Sequence, residues 1–224
     1  ENVRSKIAST DSQIAVIPNF VDTQRISPAD RQTSYRIELG LNNQIVVMYA
    51  GNLGHSQSLN LLVEAARHHQ DREDVAYVIN GGGVVASELV EQAQSLPNLF
   101  VTGFQPIARL PEVLASADVH VVLLKKGLGI SSLPSKLYSI FAAGRPVIAS
   151  IDSGTEVSKI ISENRAGITV EPEEFKEFIE AIEKLIDNPN EREEMGAAGR
   201  RWVEKQPTAK MVAESYMDLF TASK

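Results

Sequence analysis

The segment Gly127-Leu128-Gly129-Ile130-Ser131-Ser132-Leu133-Pro134-Ser135-Lys136-Leu137-Tyr138 carries no charge until Lys136. Pro134 suits the first turn of a helix and Ser132 can cap it. Lys136 then falls where unpaired backbone N–H groups point outward, and a helix N-terminus with a point charge is anion-binding chemistry. The alternative is a capped helix with a solvated lysine. A second segment, Ala50-Gly51-Asn52-Leu53-Gly54-His55, follows an apolar run. Its glycines let backbone approach a phosphate closely, or simply make a tight turn. A third, Asn80-Gly81-Gly82-Gly83, lacks the G-x-G-x-x-G spacing of a dinucleotide site and reads as a flexible turn.

Other chemistries find less support. His55, His68, His69 and His120 show no H-x-x-x-H spacing, and the neighbours His68 and His69 are expected on different helical faces, so no metal site is expected. The absence of cysteine excludes disulfide frameworks and thiolate zinc sites. Asp118 reads as a strand-entry residue, and the acidic run 171–183 as the solvated face of an amphipathic helix. A net charge of −7 argues against nucleic acid as a partner.

The elements that must position these segments alternate regularly. Apolar runs at 14–18, 44–50, 75–80, 99–103, 119–124, 146–150 and 168–170 read as strands, several without alternation, as strands covered on both faces do. Amphipathic stretches near 29–39, 57–70, 84–95, 107–116, 134–143 and 155–164 read as helices. The pattern predicts an α/β fold, a Rossmann-like doubly wound parallel sheet, whose ligands bind beyond the carboxyl ends of the strands. After the last strand come three helices. The first carries the stripe Phe175, Phe178, Ile179, Ile182, Leu185 and Ile186, and the last carries Met211, Tyr216, Leu219 and Phe220. No apolar run approaches the roughly 20 residues that span a bilayer, and a cytoplasmic location is expected.

Taken in order, Ile17-Pro18-Asn19-Phe20-Val21-Asp22, Tyr49-Ala50-Gly51-Asn52-Leu53-Gly54, Gly103-Phe104, Ala117-Asp118-Val119, Pro134-Ser135-Lys136-Leu137-Tyr138 and Ala142-Ala143-Gly144-Arg145-Pro146-Val147-Ile148-Ala149-Ser150 resemble the C-terminal half of GT-B-fold retaining glycosyltransferases. The resemblance is narrower to bacterial polysaccharide-assembly enzymes. It implies that residues 1–205 bind a nucleotide-sugar donor, and that residues 206–224 form a helix crossing to an N-terminal acceptor domain absent from this chain. Lys136 is the implied catalytic residue, stabilising the leaving diphosphate. Gly51, Asn52, Gly54, Gln57, Gln105, Ile107, Ser131, Ser135, Leu137 and Ser139 are the implied donor-binding residues.

No cofactor is implied, since the nucleotide-sugar is a substrate. The resemblance also implies peripheral contact with the inner membrane face through the complete protein. Two departures stand out. The family's two glutamates, eight positions apart, read Ser131 and Ser139, and its Arg/Lys pair reads Asn52 and Gln57. A non-catalytic nucleotide-sugar-binding relative and a nucleotide-sugar epimerase are the competing readings. The epimerase needs carboxylates for proton transfer, and the third segment offers none.

Overall fold

The computed structural model describes residues 15–129 and 134–222. Its uninterrupted apolar runs are strands: β1 (Ile45–Asn52), β2 (Val75–Gly82), β3 (Leu99–Thr102), β4 (Val119–Leu123), β5 (Val147–Ser150) and β6 (Gly167–Val170). Every residue of β4 and β5 is buried, as expected of strands covered on both faces. The sheet order is β3-β2-β1-β4-β5-β6, with all neighbours parallel. The chain winds outward from β1 to β3, then returns to lay β4 on the other side of β1. The carboxyl ends of β1 and β4 therefore flank a crevice that no crossover connection covers.

Helices α1 (Ser34–Glu38), α2 (Asn60–His68), α3 (Ala86–Ala93), α4 (Leu110–Ala115), α5 (Lys136–Ala142) and α6 (Glu156–Glu163) precede or connect the strands. Val47 and Tyr49 of β1 face α2 and α3, whereas Val46 and Met48 face α1 and α4. The helix over 29–39 shortens to α1, where the Thr33 hydroxyl caps the Arg36 N–H at 3.2 Å. Asp118 enters β4 as expected, and its buried carboxylate accepts hydrogen bonds from the Val46 N–H (2.9 Å) and Arg36 (3.2 Å).

The run at 14–18 differs from expectation. Ile14 lies outside the described residues, and residues 15–18 are unpaired and exposed or half-buried. Pro18 has no N–H to give to a ladder.

Three helices close the chain. α7 (Phe175–Asp187) buries Phe178, Ile179, Ile182, Leu185 and Ile186, the stripe read from sequence. α8 (Pro189–Val203) packs on α5, and Trp202 meets Tyr138 and Phe141 edge-on at 5.3 and 5.7 Å. α9 (Ala209–Ala222) buries only Val212 among its described side chains.

Candidate functional site

A cavity of about 700 Å³ opens at the carboxyl ends of β1 and β4. Tyr49, Gly51 and Asn52 come from β1, Leu123 and Leu124 from the end of β4, and Lys136 and Ser139 from α5. The Lys136 ammonium lies 3.8 Å from the centroid of the Tyr49 ring, over its face. The ring is held by its hydroxyl, which donates to the Asn52 carbonyl at 2.7 Å. Among the described residues no carboxylate lines the cavity, and Lys136 has no ion-pair partner. Burial without a counter-ion pulls the lysine down to about 8.

Glycine makes room for this arrangement. At Gly51 (φ +145°) an added Cβ would stand 2.8 Å from the Lys136 Nζ. Gly81 pairs with Gly51 across the ladder, and a Cβ there would overlap the Gly51 carbonyl. The segment Asn80-Gly81-Gly82-Gly83 is therefore not the flexible turn expected from sequence. Asn80, Gly81 and Gly82 form the end of β2 and Gly83 follows it, and at Gly81 and Gly83 the backbone of Gly51 and of Leu53 comes too close for a side chain. The Asn80 amide is fixed by donating to Thr102 (2.9 Å), Gly103 O (3.0 Å) and Tyr35 (3.1 Å).

On the outer lip, Phe104 and Ile107 are 65% and 68% exposed, although both line the cavity. Their turn is rigid. Arg25 donates to the Ile107 carbonyl (2.6 Å), and Gln105 accepts from Arg109 (3.2 Å). Arg109 also binds Glu38 and Glu112. Its guanidinium, with the Ser34 hydroxyl and the Tyr35 N–H, holds the Glu112 carboxyl down to about 2. The result is an apolar ledge beside a half-buried cation, with polar groups between them.

The sequence model of a family described as glycosyl transferases group 1 matches residues 31–202, more than half of the chain. The chain belongs to the group 1 glycosyl transferases. It is 31% identical over 180 residues to an Escherichia coli (strain K12) protein assigned to colanic acid biosynthesis as a glycosyl transferase, covering 77% of this chain and 44% of that protein. Anabaena Alr3699/HepE, solved with UDP-glucose, superposes with a TM-score of 0.79 at 16% identity, over 96% of this chain and 59% of that one. The C-terminal domain of a group 1 family protein (LpcC) from Francisella tularensis superposes with a TM-score of 0.66 at 19% identity, over 84% of this chain and 99% of that domain. The expected fold, the C-terminal half of a GT-B architecture, is thus borne out. The chain spans about half the length of the curated relatives it matches. Among the described residues no helix is long and apolar enough to cross a membrane.

In this glycosyl transferase chain, the cavity gathers Gly51, Asn52, Gln57, Gln105, Ile107, Ser135, Lys136 and Ser139 of the residues expected from sequence. Gly54 instead lines a smaller neighbouring cavity of about 290 Å³, and its N–H donates to Gln57 Oε1 at 3.0 Å. Leu137 does not line the cavity: its side chain is fully buried in the core and its N–H donates to the Pro134 carbonyl at 3.0 Å. Ser131 and the expected cap Ser132 lie outside the described residues. The helix begins one turn later than they would place it, with Ser135 at its N-cap and no side-chain cap bond.

Sequence reasoning passes over Asp152, and it gives Tyr49 and Asn80 no part in the site although both fall in segments it singles out. Tyr49 sits inside an apolar run, where its own side chain reads as core. Asn80 ends such a run, and a polar residue there is the one available signal. The Asp152 carboxylate accepts from the Gly127 N–H (2.9 Å) and the Gly129 N–H (3.0 Å), which holds its carboxyl below the usual carboxylate range. It ties the start of the loop before α5 to the connection after β5.

The histidines also depart from expectation. His69 is the C-cap of α2 (φ −100°, ψ 20°), so helical spacing no longer separates it from His68. Both Nε2 atoms lie 3.4 Å from Glu183 Oε1. His120 is fully buried against the Leu114 carbonyl (2.9 Å), and burial pushes it down to about 4.

Proposed function

We propose that this chain is the donor-binding half of a glycosyl transferase that moves a sugar from a nucleotide-sugar to a glycan or lipid-linked acceptor. The observation that carries this reading is a half-buried ammonium without a counter-ion, in a cavity whose described lining holds no carboxylate. Such a site has already given up part of the water around its cation, so an entering diphosphate supplies the missing partner. As the sugar departs, negative charge builds on the diphosphate, and a preorganised cation stabilises that charge more than it does the ground state. Phe104 and Ile107 offer an apolar ledge for the base, and Ser139, one turn along α5 from Lys136, faces the ribose. The missing carboxylates count against an epimerase, which must move a proton at carbon.

The transferred sugar needs an acceptor held opposite the donor. We place that acceptor on a second domain, as the shared length with the relatives allows, with α9 packing against it. Residues 1–205 then form the donor-binding unit. A specific observation keeps the binding-only reading in view: the family resemblance calls for glutamate where Ser139 lines the cavity.

The test is calorimetric titration of UDP, GDP and ADP into the 224-residue chain and into Lys136→Ala. A charge-assisted contact is worth about 1.5–3 kcal/mol, so the variant should bind the preferred diphosphate roughly 10–100-fold more weakly. Equal affinity of the two proteins for every diphosphate overturns the assignment.

A further inference from the structure

At the end of the sheet away from the donor cavity, α2 finishes at His68, His69 caps it, and Glu183 projects from α7. His68 Nε2 and His69 Nε2 each stand 3.4 Å from Glu183 Oε1, and the three donor atoms lie within 4.8 Å of one another. An ion bound tetrahedrally at about 2.0–2.1 Å holds its ligand atoms roughly 3.3–3.4 Å apart. Two of the three separations are therefore already those of ligands around one ion.

The inner histidine lacks another use for its ring nitrogen. His69 is 4% exposed, and its Nε2 is buried without a well-formed hydrogen bond, the Glu183 carboxylate standing 3.4 Å away at the long end of hydrogen-bond range. Its Nδ1 meets the Tyr77 hydroxyl at 2.6 Å, with the two rings stacked. When Nδ1 donates to Tyr77, the Nε2 lone pair faces the Glu183 carboxylate, an unfavourable pairing that a cation between them reverses. A ligating histidine is ordinarily oriented in this way by a partner on its other nitrogen. The nearby cationic group, Arg72, is already neutralised by Asp74 (2.7 Å) and Asp187 (3.8 Å).

We infer that His68, His69 and Glu183 form a site for a divalent transition ion of the zinc class, with the fourth position open to water. Two imidazoles and a carboxylate are a donor set that suits such ions. The ion would join the end of α2 to α7 and stiffen the face of the sheet opposite α5, independently of the donor cavity.

Zinc ion alone, titrated into the 224-residue chain at pH 7.5, should bind with one equivalent per chain and raise the thermal midpoint. Loss of an outer partner commonly lowers metal affinity roughly 10–100-fold. Tyr77→Phe should fall in that range, and removal of a ligand in Glu183→Gln or His68→Ala should cost at least as much. The two ligand positions are partly exposed, so these variants should fold. Cobalt ion should give the intense visible absorption of a four-coordinate site in the parent chain and lose it in Glu183→Gln. His55→Ala, at an exposed histidine elsewhere, should match the parent. The inference is overturned if no stoichiometric zinc binds, if Glu183→Gln and His68→Ala bind as the parent does, or if His55→Ala loses as much affinity as they do.

Discussion

Lys136 lies over Tyr49 with its ordinary pKa pulled down to about 8 because burial penalises the charge and no anion offsets the penalty. A bound diphosphate provides that anion, so binding above this pH must draw a proton onto the lysine. Diphosphate affinity should therefore be flat from about pH 7, where the terminal phosphate is already ionised, to pH 8, and fall by up to about tenfold per unit above it. Calorimetry in buffers of different ionisation enthalpy should register proton uptake near pH 8.5, and Lys136→Met should abolish it. The stability sign is opposite to that of a lysine with a salt-bridge partner. The folded-state value lies below the unfolded one, so the ligand-free chain gains stability as pH rises from about 8 toward the ordinary lysine value. Ser139→Glu tests the other side of the cavity. A carboxylate can accept from both ribose hydroxyls, so it should tighten nucleotide binding and enlarge the thermal shift on adding nucleotide. A folded Ser139→Glu protein with unchanged or weaker affinity refutes the ribose assignment and favours the binding-only reading.

The strands and helices were legible in sequence where period and length agreed. The runs that form β1, β2, β4 and β5 are apolar without alternation and too short for buried helices, as strands buried on both faces are. The α7 stripe was equally plain. What sequence did not reveal depends on distances between elements. The three glycines of 81–83 look like a loop until Gly81 is seen against the Gly51 carbonyl, a contact set by the β1–β2 register. Gly81→Ala should accordingly cost about 3 kcal/mol or more, measured by urea unfolding, because backbone on both strands must move. Helical spacing separates His68 from His69 only if the helix continues past His68, and it ends there. The α1–α4 contact adds a pH signature. Arg109, Ser34 and Tyr35 depress Glu112 to about 2, so the contribution of this carboxylate is complete above its ordinary range and lost as pH falls toward 2. With solvent screening at this surface position, Glu112→Gln should cost about 1 kcal/mol at neutral pH, and the difference should vanish in acid.

At the scale of the whole molecule, α9 is the element whose place in the sequence pattern is plain and whose packing is not. Met211, Tyr216 and Phe220 are 53%, 51% and 69% exposed, while Val212 alone is buried among the described side chains of the helix. A helix seated by one valine gains only about 1.5–3 kcal/mol from that burial. Removing residues 206–224 should therefore lower the thermal midpoint by only a few degrees. Nucleotide affinity should not change, because no described residue of α9 lines the cavity. Substituting Met211, Tyr216 and Phe220 together by serine should alter the stability of the 224-residue chain by no more than about 0.5 kcal/mol per site. The same triple variant should weaken association with a separately produced acceptor-holding domain, where those side chains would be buried. On the proposed reading the unaltered chain should bind nucleotide yet transfer no sugar alone, since an acceptor held on a second domain would not be oriented against the donor. Transfer by the isolated chain, or a triple variant that unfolds it, would mean that the exposed face of α9 serves this domain rather than a partner.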